Sequence, residues 1–503
     1  MSRVVVVGAG VAGMAVAARL RVRGHHVMLL EQAETYGGKA RQYRRDGFVF
    51  DTGPSLLTLP AVYRDLFLKT GKALEDTVDL QPVEPGTSYR WADGTHATVP
   101  GVGITGVAAA LGDALGGTAA DDWRTLMRRA AHVWRLTRKS VLESELSGPK
   151  DLFSLASSMT DIRTVAPWQT LRGIGNRNLR DPRLVTFLDR YATYSGSDPR
   201  KAPAALVTIP YVEQNFGSWH VGGGIGSLVT ALFERCLERG VTVEFNADVE
   251  RIETAAGRVT AVLLTSGRRL PADVVVSDAD ATHLYADLLT DPSAAKPLKQ
   301  INRATPSFSG FVILAAVTGR TPGIAHHNVW FPTDYDDEFN SVFAGRPASD
   351  PTIYACVPAD PAMKPDGEHE SWFILVNAPR HGQQPDEFDW RAPDVATQYA
   401  TAILSKLATR GVDLRDRLLW SHVRTPADLE TESRAPGGAI YGTSSNGVRA
   451  AFLRPANRSP IPGLFLVGGS SHPGGGLPLV GMSAELVANL VGRAVRPDRA
   501  SAQ

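Results

Sequence analysis

Near the N-terminus, Val4 to Val7 form an unbroken apolar, β-branched run, the pattern of a short strand buried on both faces. The period then changes. Val11, Met14, Ala15, Ala18 and Val22 recur at helical spacing and predict an amphipathic helix. Gly24 stops it, and Val27 to Leu30 reads as a second strand. Further along, helical spacing is expected over Leu56–Leu80, Asp121–Leu142 and Leu152–Ile162, and again where Leu228, Ala231, Leu232 and Arg235 share a side. Asp93-Gly94 is a hairpin signal and Val249–Leu264 a second hairpin. Val241–Phe245, Val274–Val276 and Gly463–Val467 read as strands, the last followed by a helix starting near Gly481. Phe308–Val317, Ile353–Val357 and Ser371–Val376 read as strands of a sheet suited to walling a cavity.

The turn after the first strand has the spacing G-x-G-x-x-G at Gly8, Gly10 and Gly13. Gly10 lets the backbone approach a pyrophosphate, and Gly13 lets the helix pack on the strand. Glu31 ends the second strand, where a carboxylate can accept from both ribose hydroxyls. Strand, helix, strand and acid sit where dinucleotide binding needs them. The pair Gly37-Gly38 suits a loop folding back over the dinucleotide, with Lys39 or Arg41 meeting a phosphate. Gly101 to Gly106 repeats the glycine spacing, but Pro100 replaces the buried strand and no acid-capped strand follows, so no second nucleotide site is expected. Near the C-terminus, Gly468, Gly469, Gly475 and Gly476 lie between a strand and a helix, where amides and a helix dipole can approach a flavin ring.

The 503 residues allow more than one core, and a formal net charge of +1 gives no reason to expect nucleic acid. Cys236 and Cys356 are too few for a disulfide framework, which points to a reducing compartment. The doublets His25-His26 and His326-His327 are read as no metal site, since neighbours on a strand point to opposite faces and no acid sits nearby. No apolar run approaches a membrane span. Leu152, Leu155, Ala156, Met159, Ile162, Trp168, Leu171 and Ile174, flanked by Arg163, Arg172, Arg177 and Arg180, suit either a helix lying on an anionic bilayer or a core-facing helix with a basic side.

The run GGKARQYRRDGFVFDTGPSLLT from Gly37 resembles the FAD-binding end of amine-oxidase-like flavoproteins, and more closely the start of the carotenoid desaturase family that includes bacterial phytoene desaturase. Arg190–Pro199, Trp219–Gly226 and the run LFLVGGSSHPGGGLP from Leu464 resemble the same family, and the match is poorest over Gly101–Gly148. The resemblance implies an α/β fold: a Rossmann-type FAD-binding domain from residues 1–100, 217–300 and 434–503, with an inserted α+β substrate domain from 101–216 and 301–433. It implies FAD as cofactor and removal of hydrogen from a long apolar polyene such as phytoene, with oxygen or a quinone as electron acceptor. A place on the cytoplasmic face of a membrane is expected. His472 could receive a proton, or could instead structure the Pro-Gly loop. A hydroxycarotenoid or diapocarotenoid desaturase, a saturase or isomerase, an amine oxidase and a flavin-free prenyl-lipid escort protein stay open as alternatives.

Overall fold

The structure, a computed structural model, describes residues 2–145, 159–447, 450 and 454–494. Arg3–Val7 pairs in parallel with His26–Leu30 on one side and Val274–Ser277 on the other. Thr242–Glu244 and Leu464–Leu466 complete a five-stranded parallel sheet with Arg3–Val7 at its centre. Side chains alternate as a strand requires. Val4 and Val6 pack into a core with helices Val11–Val22, Ile225–Glu238 and Leu477–Val491. Val5 and Val7 face an antiparallel three-stranded sheet, Val249–Ala255, Arg258–Leu264 and Arg269–Pro271.

The first helix departs from the amphipathic expectation. Its small residues are buried almost all round, from Ala12 to Leu20, whereas Val22 is half exposed. It lies between two other helices, and alanine and glycine let both approach. Leu56–Leu80 shortens to a helix over Ala61–Thr70, ended at Gly71, with a single further turn at Leu74–Asp76. The C-terminal helix begins at Leu477, earlier than Gly481, because Pro478 is tolerated in a first turn that needs no N–H donor.

A seven-stranded sheet runs in the order Leu418–Arg424, Ser309–Thr318, His369–Ala378, Ile353–Cys356, His327–Trp330, Thr87–Arg90, His96–Val99. Along Ser309–Thr318, Phe311, Ile313, Ala315 and Val317 pack towards helix Val395–Thr409, while Val312, Leu314 and Ala316 face Phe48, Phe50 and Phe373. The Asp93-Gly94 hairpin forms as expected but joins this sheet, through Thr87–Arg90 pairing with His327–Trp330, so a division at residue 100 does not follow the strand pairing. The second glycine-rich stretch follows an edge strand of the same sheet and leads into helix Ile104–Leu115. Against Trp123, Phe187 and Tyr191 pack helices Ile104–Leu115, Ala119–Thr137, Leu171–Asn178 and Pro182–Asp189.

The stretch read for membrane contact divides. Leu152, Leu155 and Ala156 lie outside the described residues, as do the side chains of Met159 and Ile162. Leu171 and Ile174 are core residues, and Arg172 is held by Asp189 and, at 2.6 Å, by Asp336. Arg172 is therefore a structural cation, not a surface one. Trp168 is 59% exposed, and Arg163, Arg177 and Arg180 of the same stretch are exposed. Among the described residues no helix is long and apolar enough to cross a membrane.

Candidate active site

The C-terminal ends of four parallel strands meet on one rim, the place where open α/β sheets build their sites. Arg3–Val7 runs into the glycine turn, His26–Leu30 into Glu31, Val274–Ser277 into Asp278 and Leu464–Leu466 into Gly468. Ala9 N–H donates to Glu31 Oε2 at 2.8 Å, and Ala33 N–H to Oε1 at 2.9 Å. Each oxygen keeps a lone pair for a further donor. Helix Val11–Val22 starts at Gly10 with no side-chain cap from Gly10 itself, leaving the Val11 and Ala12 amides for an anion.

Asp278, which sequence reasoning passed over, is the hub of this turn. Its Oδ2 accepts from Gly13 N–H at 2.9 Å. A Cβ at Gly10 would run into Oδ2, and one at Gly468 into Oδ1. The motif glycines thus accommodate a half-buried carboxylate as well as an approaching ligand. Burial pushes that carboxyl up to about 7, against the Gly13 amide, with Glu31 adding to the rise and Lys39 opposing it. An acid closing a third parallel strand, as Glu31 closes the second, was the available signal.

Gly37 N–H donates to Ala9 O at 2.8 Å, so the glycine pair folds back on the turn as expected. Lys39 departs from its expected role. Its Nζ donates to the carbonyls of Ala439 and Ile440, both at 3.0 Å, and straps the C-terminal segment to the turn. Burial lowers its pKa. Arg41 donates to Thr35 O at 3.3 Å, stands 3.7 Å from Glu31 Oε1, and lines the cavity.

On the other side of the cavity, Arg454 organises the glycine-rich loop. It is half-buried, and donates to the carbonyls of Tyr441 (3.0 Å), Gly469 (2.7 Å) and Thr443 (2.6 Å). Burial brings its pKa down to about 10. Gly475 lies so close to the Tyr441 ring that a Cβ there would overlap it. His472 is not the proton acceptor offered by sequence. It is only 4% exposed and does not line the cavity, although its neighbours Pro473 and Gly474 do. Its Nε2 lies 3.0 Å from Ser144 O, and its carbonyl accepts from Asn457 Nδ2 and Ser483 Oγ. Burial lowers the imidazole to about 4, so it stays neutral and shapes the loop.

Beyond the loop the cavity, about 710 Å³, is walled by Leu206, Ile209, Val212, Phe308, Val312, Phe373 and other apolar groups. One polar patch interrupts this wall. Arg190, 7% exposed, lies among the rings of Tyr89, Tyr194 and Tyr354, with its guanidinium carbon 5.9, 5.2 and 5.5 Å from their centroids. It donates to Tyr194 OH at 2.9 Å. Glu213 accepts from Tyr191 OH at 2.8 Å, and burial raises its pKa. Tyr354 OH lies 2.6 Å from Ser55 Oγ and 2.8 Å from His327 Nδ1. The strand-alternation argument about the histidine doublet fails here. His326 precedes the strand, its ring is 4.5 Å from that of His327, and both lie with Cys356 within 4.8 Å. Burial keeps both imidazoles neutral.

Residues 11–491 match the family model of flavin containing amine oxidoreductases. The 4,4'-diapolycopene oxygenase of Methylomonas sp is 33% identical over 490 residues, 96% of this chain and 97% of the relative. The hydroxyneurosporene desaturase of Rubrivivax gelatinosus is 33% identical over 500 residues, 97% of this chain and 92% of the relative. The chain belongs to the flavin-containing amine oxidoreductases, among the carotenoid desaturases and oxygenases. As a member of that family it is an FAD-dependent oxidoreductase. Cyclohexylamine oxidase from Brevibacterium oxydans shares the fold, with a TM-score of 0.62 and 15% identity over 97% of this chain and 99% of that one.

The residues present fit FAD. Uncapped helix amides suit a pyrophosphate, the spare lone pairs of Glu31 suit a ribose diol, and the glycine-lined gap between turn and loop admits a flat ring.

Proposed function

We propose that this enzyme desaturates a long carotenoid polyene, extending its conjugation by removing hydrogen. The observation that carries this reading is continuity: one cavity joins the glycine cradle to an apolar chamber walled by sheet and helix. Gly8, Gly10, Gly13 and Glu31 would hold the adenosine and pyrophosphate end of FAD. Gly37, Gly38 and Arg41, with Lys39 as a strap, would close over it, and Gly468, Gly469, Gly475 and Gly476 would flank its ring. Bound there, FAD supplies the two-electron acceptor for hydride removal. The protein's own contribution is to lay the polyene along the apolar wall and to exclude water. Oxygen or a quinone is the proposed final acceptor.

The polyene is reached from a membrane. Exposed Trp168 with Arg163, Arg177 and Arg180 supports a docking face on the cytoplasmic side, because an apolar anchor and cations together favour an anionic bilayer. The test is purified holoprotein with phytoene, diapophytoene or a hydroxylated carotene in liposomes. Products absorbing at longer wavelength, formed without NAD(P)⁺, are expected. Fully bound flavin with no red-shifted product from any of them sinks this reading in favour of a saturase or isomerase.

A further inference from the structure

We propose that the polar patch around Arg190 is a subsite for an oxygen atom, hydroxyl or carbonyl, at the end of the polyene, so that an oxygenated carotenoid is preferred to its hydrocarbon counterpart. This rests on the desaturase reading and adds the substrate class. A guanidinium carries five N–H donors and is never neutral in a protein. Among the described residues Arg190 donates one hydrogen bond, to Tyr194, and has no carboxylate within ion-pair distance. The contrast with half-buried Arg454, whose donors meet three carbonyls, shows what a structural arginine looks like here.

Two of the hydroxyls around Arg190 are already committed. Tyr354 OH is engaged by Ser55 and His327, and Tyr191 OH by Glu213. What is left over is Arg190's donors together with buried atoms that have no partner, among them Glu213 Oε2, His327 Nε2 and Tyr335 OH. Arg190, Glu213, His327 and Tyr335 all line the cavity. Three rings hold the cation in place without using up its N–H groups. A hydrocarbon pressed on this wall would displace water and leave those donors unpaired, which is costly in an apolar chamber. An oxygen placed there accepts from Arg190. If it is a hydroxyl, its proton also has acceptors close by on the same wall.

An oxygen on a long apolar molecule could also be that of a quinone acceptor, so the test excludes one. Holoenzyme is mixed anaerobically, without quinone, with liposomes containing hydroxyneurosporene or neurosporene, and bleaching of the flavin absorbance is followed. The wild type is expected to be reduced faster by the hydroxylated polyene, by about 10-fold or more, the worth of one hydrogen bond to a charged donor. In Arg190→Met that preference should collapse towards one. Arg190→Lys, which keeps the charge without the fork, should retain part of it. Tyr194→Phe, which frees the one bonded donor without removing the cation, serves should Arg190→Met fail to fold. It should alter the preference while flavin content holds. Equal rates for the two polyenes in the wild type, or a preference that survives Arg190→Met, overturns the subsite and leaves desaturation standing. If neither polyene bleaches a fully bound flavin, desaturation itself fails, and the subsite with it. A preference that appears only when quinone is added assigns Arg190 to the acceptor and overturns the substrate assignment.

Discussion

Arg190 is buried and Arg454 half-buried, both line the same cavity, and they do opposite things. Arg454 meets three backbone carbonyls and holds the loop of Gly468–Gly476 against Tyr441 and Thr443. Arg190 is fixed by ring faces and one phenol, and keeps most of its hydrogen-bonding capacity. A similar contrast holds for other polar groups of the cavity, although Arg41 Nε at the cradle is also without a partner. At the cradle, Lys39, Asp278 and Glu31 are bonded to backbone. At the far wall, Glu213 and His327 each have a buried atom without a partner. Buried polar groups are almost always satisfied, so an unsatisfied one that also lines a cavity points to a place for a ligand.

The comparison can be broken most severely at the cradle. Gly10→Val should give flavin-free protein, since its side chain would overlap Asp278 as well as the ligand's path. Full flavin occupancy in that variant would mean that the nucleotide lies elsewhere. Next in size, Arg454→Met strands three carbonyls and should cost more than about 3 kcal/mol in urea unfolding, whereas Arg190→Met should cost clearly less. Equal losses would erase the distinction between the two arginines. Glu31→Ala should weaken FAD binding by about 1.5–3 kcal/mol for each ribose hydrogen bond lost, read by flavin titration of the apoprotein.

A second pair of arginines, Arg172 and Arg177, sharpens the same point. Arg172→Glu should destabilise the fold by about 2–4 kcal/mol, discounted for partial exposure, because it sets a third acid beside Asp189 and Asp336. Arg177→Glu should stay within about 0.5 kcal/mol and instead reduce salt-sensitive flotation with anionic liposomes. Identical flotation of wild type and Arg177→Glu would remove this face from the membrane proposal.

The smallest effect concerns pH. The Asp278 carboxyl lies near 7 in the fold, against an ordinary value of 3.8. The folded state therefore binds the proton more tightly, and its contribution to stability falls as pH rises between about 4 and 7. Asp278→Asn removes that slope. Its urea midpoint should exceed that of the wild-type apoprotein at pH 8 and match it near pH 4. A variant less stable at pH 8 would show that the ionised carboxylate, with Glu31 and Lys39 facing it, holds the turn better than an amide does.

Much of the cradle was legible in the chain because it is local. Val4–Val7, the glycine turn, the helix and Glu31 span fewer than thirty residues, and periodicity with turn chemistry determines such a unit without help from elsewhere. Periodicity states which face is buried, but not what it is buried against. Thr87–Arg90 could be read as half a hairpin, yet only packing decided that it extends the sheet of His327–Trp330. Arg172 looked like any surface cation until Asp189 and Asp336 were brought to it, and His472 like a candidate base until Ser144 and Asn457 enclosed it. Asp278 reaches Gly13 across 265 positions, and Tyr354 reaches Ser55 across 299. Arg190 acquires its meaning from Tyr89 and Tyr354, rings far from it in sequence. The partner of a buried charge is chosen by tertiary packing, because desolvation and pairing depend on distance in space, and no spacing along the chain records that distance.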